Sequence, residues 1–250
     1  MTSVIGKVAE DEDINKFERD ELTGMAGLID KLTDCLGFCM SEDGDTLSQW
    51  RGYADDGRGM SIGFCHEFLT AITKSNDFIR LQKVVYNLDD QKRRVREIFP
   101  KVKQLISEGA VSIPSPGSYL APKSDDQLQA EMKQYRSKNS ELFGTLTDLQ
   151  SIWFSFKNPA FREENEWRLA MNVLKPLNIL ASDETDYRTA DGRLVPYQRI
   201  AFPAPESAAK VIEQVILGPK STTPIGVVES FLRRNGFDNV ALSVSTASYR

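Results

Sequence analysis

Residues 36–64 constrain this chain more than any other stretch. Cys35 to Met40, with the short apolar run Leu36-Gly-Phe-Cys-Met40, reads as a buried strand, and Ser-Glu-Asp-Gly-Asp45 follows as an acidic turn. Thr46 to Tyr53 has the length of one short helix, Ala54-Asp-Asp-Gly-Arg-Gly59 is a glycine loop, and Gly59 to Phe64 is a second strand. A unit this compact sets Ser48, Trp50, Arg51 and Tyr53 at the mouth of a β-rich core. Asp45 or Thr46 caps the helix through its exposed amides.

Within that helix Trp50 and Tyr53 are three apart and project together. Such a pair sandwiches a flat ring such as nicotinamide, or it simply covers the core. The loop after it has no GxGxxG or GxxxxGK[ST] fingerprint, and its aspartates repel phosphate. It is a turn in which Gly57 and Gly59 supply positive φ.

A second block, Phe161-Arg-Glu-Glu-Asn-Glu-Trp-Arg-Leu169, leads into a strand over 167–173, and alternation places Glu164 and Glu166 on one side. A glutamate fixed at a strand's start can bond a ribose hydroxyl and stabilise the cation that forms as a glycosidic bond ionises. The competing reading is a solvated acidic run paired with Arg162 and Arg168.

The rest of the chain alternates helical and extended patterns. Residues 11–34 suit one or two amphipathic helices, 68–72 a helix and 78–86 a strand. A basic amphipathic helix runs over 91–107, and 111–124 is a Pro/Ser loop. Two helices broken near 137–140 fill 125–156. Strands follow over 193–202, 211–217 and 240–244, with a helix over 225–235 capped by Gly236. The expected class is α+β: a single domain over 1–250, with a helical lead-in over 1–34 and helices inserted around a mixed or antiparallel sheet.

Bulk properties narrow the function. A net charge of −5 speaks against a broad nucleic-acid surface, leaving Lys92, Arg93, Arg94, Arg96, Lys101 and Lys103 as a local basic face or as plain solvated surface. The absence of a long apolar run or a signal-peptide pattern places the protein in the cytoplasm, with no membrane partner. Three cysteines (Cys35, Cys39, Cys65) form no CxxC pair and read as thiols in a reducing compartment. The one histidine, His66, opens a helix, so neither a metal site nor a histidine-based triad is expected.

Four blocks in order resemble the bacterial domain-of-unknown-function family 2971, over roughly residues 35–250. They are Ser41-Glu-Asp-Gly-Asp-Thr-Leu-Ser-Gln-Trp-Arg-Gly-Tyr-Ala54, Glu164-Asn-Glu-Trp-Arg-Leu169, Val215-Ile-Leu-Gly-Pro219 and Ser245-Thr-Ala-Ser-Tyr-Arg250. A more distant likeness links Leu36-Gly-Phe-Cys-Met40, Ser48, Tyr53 and Asn165-Glu-Trp167 to poly(ADP-ribose) polymerases and other ADP-ribosyltransferases. That likeness implies an ADP-ribosyltransferase-like fold and NAD as substrate. Tyr53 would stack on nicotinamide beside Trp50, Glu166 would be the catalytic carboxylate, and Glu164 would position the acceptor. Ser48, Arg51 and Arg168 would contact NAD or hold the glutamates.

The resemblance further implies a toxin or phage-defence role on a protein or nucleic-acid acceptor, with an operon-encoded partner. Both groups begin with a His-bearing strand, Tyr-His-Tyr-Thr-Ser in the family, and no such block occurs here. Either the reading frame starts late or the chain is a variant lacking the element. The alternative function is therefore a non-catalytic nucleotide-sensing or protein-interaction module. The enzyme reading requires Tyr53 and Glu166 to face one cleft.

Overall fold

The computed structural model of the chain describes residues 5–6, 10, 14–76, 78–118, 121–174, 185–190, 192–200 and 211–249. In chain order these form α1 (Lys16–Leu32), β1 (Thr33–Ser41), α2 (Leu47–Tyr53), β2 (Met60–Phe64), α3 (His66–Ser75) and β3 (Ile79–Lys83). Next come α4 (Leu88–Arg96), α5 (Phe99–Ser107), β4 (Gly117–Ser118), β5 (Ala121–Pro122) and α6 (Asp125–Phe154). A 3-10 turn (Pro159–Glu164) leads to β6 (Glu166–Leu174), followed by β7 (Thr185–Ala190), β8 (Arg193–Gln198), β9 (Ile212–Leu217), α7 (Ile225–Arg234) and β10 (Ala241–Val244). The chain is mixed helix and sheet, and no helix among the described residues is long and apolar enough to cross a membrane.

The contacts divide it into two compact units. One comprises Met1–Leu36, Asn87–Phe156 and Asn172–Gln198; the other comprises Gly37–Tyr86, Lys157–Met171 and Arg199–Arg250.

The first unit is chiefly helical. Leu142, Leu146 and Leu149 recur at helical spacing on α6, against which α1 and α5 pack. Leu22, Ile29, Phe99, Val102 and Leu105 complete this core, each nearly inaccessible. Burying such a side chain contributes about 1.5–3 kcal/mol. Helix α6 starts at a capping box between Ser124 and Gln127 and runs unbroken for 30 residues, where the sequence suggested a break near 137–140. Ser137, Asn139 and Ser140 lower helix propensity only slightly, and packing overrides it. The expected helix over 91–107 is instead two, α4 and α5, because Pro100 falls in the first turn of α5 and has no N–H for a continuing ladder.

Two sheets build the second unit. One has the order β1-β6-β3, with β3 antiparallel to β6. Phe68, Leu69 and Ile72 of α3 pack with Ile79 of β3 and Leu169 of β6. The other has the order β10-β9-β2 and is mixed, since β10 runs parallel and β2 antiparallel to β9. Val228 and Leu232 of α7 cover Val215 and Leu217 of β9.

The glycine loop closes against the end of β9. Gly57 has φ +80°, and a Cβ on Gly218 would stand 2.3 Å from the Gly57 carbonyl oxygen. Gly59 has no positive φ; Asp55 and Asp56 take the left-handed conformations expected of it. The strand expected over 193–202 is β8, and residues 201–202 lie outside the described residues.

Candidate functional site

The β1-β6-β3 sheet presents two chemically opposite faces in the second unit. On one, Glu166 opens β6 after Asn165, whose left-handed conformation (φ 44°) turns the chain out of the 3-10 segment. Glu166 is 4% exposed. Strand alternation puts Arg168 beside it, with Nε donating to Oε1 at 2.8 Å and a terminal nitrogen to Oε2 at 3.2 Å. Lys157 Nζ bridges Glu166 Oε2 at 2.9 Å and Glu164 Oε2 at 2.5 Å. The Tyr86 hydroxyl accepts the Glu166 backbone N–H at 2.9 Å.

Burial of Glu166 works against its charge, but bonds from Arg168, Cys39 and Lys157 outweigh it and hold the carboxyl at about 2. Conversely, burial and then the bond to Glu166 push the Cys39 thiol up to about 11. Such a carboxylate is a poor base, and such a thiol is a poor nucleophile.

Trp167, one residue along, lies on the opposite face. There a cleft of about 710 Å³ opens, with Leu69, Leu81, Trp167 and Ile216 in its lining and Phe38 and Phe64 meeting edge-to-face at 5.7 Å. The His66 ring lies edge-on to Trp167 at 6.0 Å. Polar lining comes from Ser41, Ser61, Gln214, Glu42 and Asp43, with no Lys or Arg among the described residues that line it. Lys83, cross-strand from Trp167, holds its Nζ 5.9 Å from that ring and pairs with Glu42 at 2.5 Å.

The residues expected to form an NAD site do not gather at this cleft: Ser48, Trp50, Arg51, Tyr53, Glu164, Glu166 and Arg168 are all absent from its lining. Trp50 and Tyr53 do not project together. Trp50 is 2% exposed, with its indole N–H donated to Asp45 at 2.8 Å, whereas Tyr53, ending α2, is 74% exposed. Only the inner side of this two-turn helix is covered. The Ser48 hydroxyl is buried and finds no hydrogen-bond partner among the described residues. The Arg51 guanidinium stacks over Tyr249 at 5.3 Å. Glu164 and Glu166 do converge, but on Lys157, a cation the sequence reading did not single out.

Asp45 is the other residue whose role was hidden. Thr46 is the N-cap of α2 but makes no side-chain cap bond. The Asp45 carboxylate instead accepts from Trp50, from the Ser245 hydroxyl, and from the Thr246 N–H (2.8 Å) and hydroxyl (2.9 Å). Its pKa is lowered: burial opposes the charge, and the bonds from Ser245, Thr246 and Trp50 prevail. Tyr249 adds a bond to Asp56 and receives the Lys220 ammonium over its ring. The block ending in Tyr249 thus clasps the α2 region.

Elsewhere, Cys65, Glu67 and Glu213 bring metal-type donors within 4.8 Å of one another, with the thiol bonded to Glu67 at 3.0 Å. The basic run on α4 and α5 is laced with acids: Arg93 pairs with Asp90 at 2.7 Å and Lys101 with Glu141 at 2.5 Å.

Residues 49–169 match the model of a family described as "Protein of unknown function (DUF2971)". The match supports that family. Its span takes in both Tyr53 and Glu166. No curated protein and no solved structure matches the chain.

Proposed function

We propose that this chain is a protein-interaction module and that the cleft beside Trp167 is its site. The observation that carries this reading is the cleft's lining: it is apolar and aromatic, with Asp43 and a Glu42 paired to Lys83, and with no Lys or Arg among the described residues that line it. A dinucleotide brings a pyrophosphate, which Lys or Arg commonly holds; among the described residues none lines the cleft, and the Lys83 ammonium over Trp167 is already paired with Glu42 at 2.5 Å. An apolar segment of a partner needs no cation.

ADP-ribosyl transfer is the second reading, favoured by one feature. Glu166 is kept ionised at the head of β6, the position from which a carboxylate stabilises a ribosyl cation. Under that reading Arg168 and Lys157 must yield part of their hold on Glu166 when NAD binds, and Tyr53 must stack on nicotinamide. A toxin or defence role in the cytoplasm would follow by analogy alone.

Incubation with labelled NAD separates the two readings, following both NAD consumption and ADP-ribose transfer in cell lysate. The wild-type chain is expected to leave NAD intact. Turnover that disappears in Tyr53→Ala, an exposed position whose loss spares the core, would overturn the interaction reading in favour of the enzyme. Glu166→Gln, checked for folding by circular dichroism, serves as the second variant.

A further inference from the structure

The way backbone lines the cleft suggests what occupies it. A sheet face lines a cavity with alternate residues, as β9 does with Gln214 and Ile216. β1 and β2 behave differently: β1 lines this cleft with the unbroken run Phe38 through Ser41, continued by 42–44 beyond it, and β2 with Met60 through Phe64. Consecutive residues line a cleft when the strand's edge, with its N–H and C=O groups, faces it. Among the described residues both strands are at the edge of their sheets, β1 beside β6 and β2 beside β9.

Hydrogen-bond parity identifies the groups on those edges. Glu42 donates its N–H to the Asn165 carbonyl at 3.0 Å, toward the β6 side. Backbone direction alternates along a strand, so Cys39 and Ser41 turn their amides outward. On β2, Gly218 donates to the Gly59 carbonyl at 2.9 Å, and the register continues with Ser61 opposite Ile216. Met60 and Ile62 therefore turn their amides outward.

Exposed edges are commonly guarded by lysine, proline or a bulge. β1 (TDCLGFCMS) and β2 (MSIGF) contain neither Lys nor Pro, and the one irregularity on β2 lies at its far end, between Gly63 and Phe64. Apolar side chains are left exposed there, with Phe38 at 48% and Ile62 at 51%.

We propose that the cleft receives an extended peptide strand of a protein partner, which adds to the edge of β1 or β2 and lays alternate apolar side chains against the cleft's aromatic and aliphatic lining. This deepens the interaction reading and rests on it. The volume fits: a strand advances ~3.3 Å per residue, ~4.8 Å from its sheet neighbour and ~10 Å from the next layer, so it fills roughly 160 Å³ per residue. A cleft of about 710 Å³ then holds roughly four residues. Charge adds direction: Glu42 is taken up by Lys83, while Asp43, just beyond β1, is in no ion pair among the described residues and selects a Lys or Arg next to the apolar segment. Strand addition of this kind takes affinity from main-chain bonds and specificity from the alternate pockets.

The test pans the whole chain against a displayed library of random octapeptides and titrates synthetic copies of the selected peptides by fluorescence anisotropy. Winners are expected to alternate apolar and polar residues and to carry a basic residue at one end. They should also slow amide exchange at Cys39, Ser41, Met60 or Ile62. Ile62→Pro, which deletes an outward amide at an edge where proline is tolerated, is expected to weaken β2-docked peptides at least tenfold. Ile62→Lys, which keeps the amide but guards the edge, should also weaken them and covers the case that the proline variant misfolds. For β1-docked peptides the matching variant is Ser41→Pro.

Peptides that bind as helices, or that ignore every edge variant, would overturn strand addition while leaving the interaction reading in place. Failure to select any peptide overturns strand addition as well. NAD turnover in the separate assay would instead remove the interaction reading itself.

Discussion

The two faces of the β1-β6-β3 sheet differ in what they leave unsatisfied. Behind Glu166, each charge is answered: Arg168 and Lys157 hold the carboxylate, Glu164 shares Lys157, and Tyr86 takes the backbone N–H. On the Trp167 side, aromatic rings, strand edges and Asp43 face an open cleft, and the only charge pair described there is Glu42 with Lys83. Side chains adjacent in sequence, Glu166 and Trp167, thus serve opposite ends. A network that answers its own charges contributes to folding and leaves little for a ligand, whereas a face with unburied apolar surface has binding energy still to gain.

The sharpest way to break this contrast is to remove Glu166. Glu166→Ala leaves Lys157 and Arg168 without their main partner, and breaking a buried pair by removing one side costs about 3–5 kcal/mol. Urea unfolding of the variant should show that loss. The same network predicts an acid limb. The folded pKa of about 2 lies below the ordinary 4.5, so this contribution is complete above pH 4.5 and is lost as pH falls toward 2. Glu166→Gln should flatten that limb; an unchanged acid profile would show that the network does not stabilise the fold.

Cys39 probes the same face by its chemistry. A thiol raised from 9.0 to about 11 has roughly a hundredfold less thiolate at pH 8. Because a thiolate's nucleophilicity rises with its pKa, iodoacetamide labelling followed by mass spectrometry should find Cys39 about tenfold slower than a free thiol, although the residue is exposed. Glu166→Gln should speed it. Fast labelling in the wild type would mean that the thiol does not bond the carboxylate.

A smaller effect is expected at the Asp45 clasp. Asp45→Asn keeps the shape but removes the charge that gathers Trp50, Ser245 and Thr246. Hydrogen bonds to a charged group contribute about 1.5–3 kcal/mol each, with part of that retained by the amide. A net loss of about 2 kcal/mol and faster amide exchange at Thr246 are the expected readouts. Because the Asp45 pKa is depressed, its contribution is present above the ordinary carboxylate range and fades as pH falls through the folded value.

The sequence was more legible for elements than for the site. Hydrophobic runs located β1, β2, β6, β9 and α7 to within a few residues, because each strand carries its own period or apolar run. The basic run over 91–107 reads as one helix, and Pro100 within it divides α4 from α5. Site residues were harder, because their partners are far apart in sequence. Lys157 reaches Glu164 and Glu166 across a 3-10 turn, and Asp45 meets Ser245 from the other end of the chain. Helical spacing suggested that Trp50 and Tyr53 act together, but only one side of α2 is covered, and burial separated them. The cleft left no motif, since backbone edges carry no residue signature.

The smallest stability effect belongs to the Trp167 side and is the most discriminating. Ile62 is half exposed on an edge strand, so Ile62→Thr keeps β propensity and loses little burial, and unfolding should shift by no more than about 0.5 kcal/mol. If the cleft is a binding face, the same substitution still removes an apolar contact and weakens a docked peptide by several-fold. Stability unchanged with binding reduced is the signature of surface held in reserve for a partner. A loss near that of Glu166→Ala would instead mean that Ile62 belongs to the core, and the two faces would no longer differ in kind.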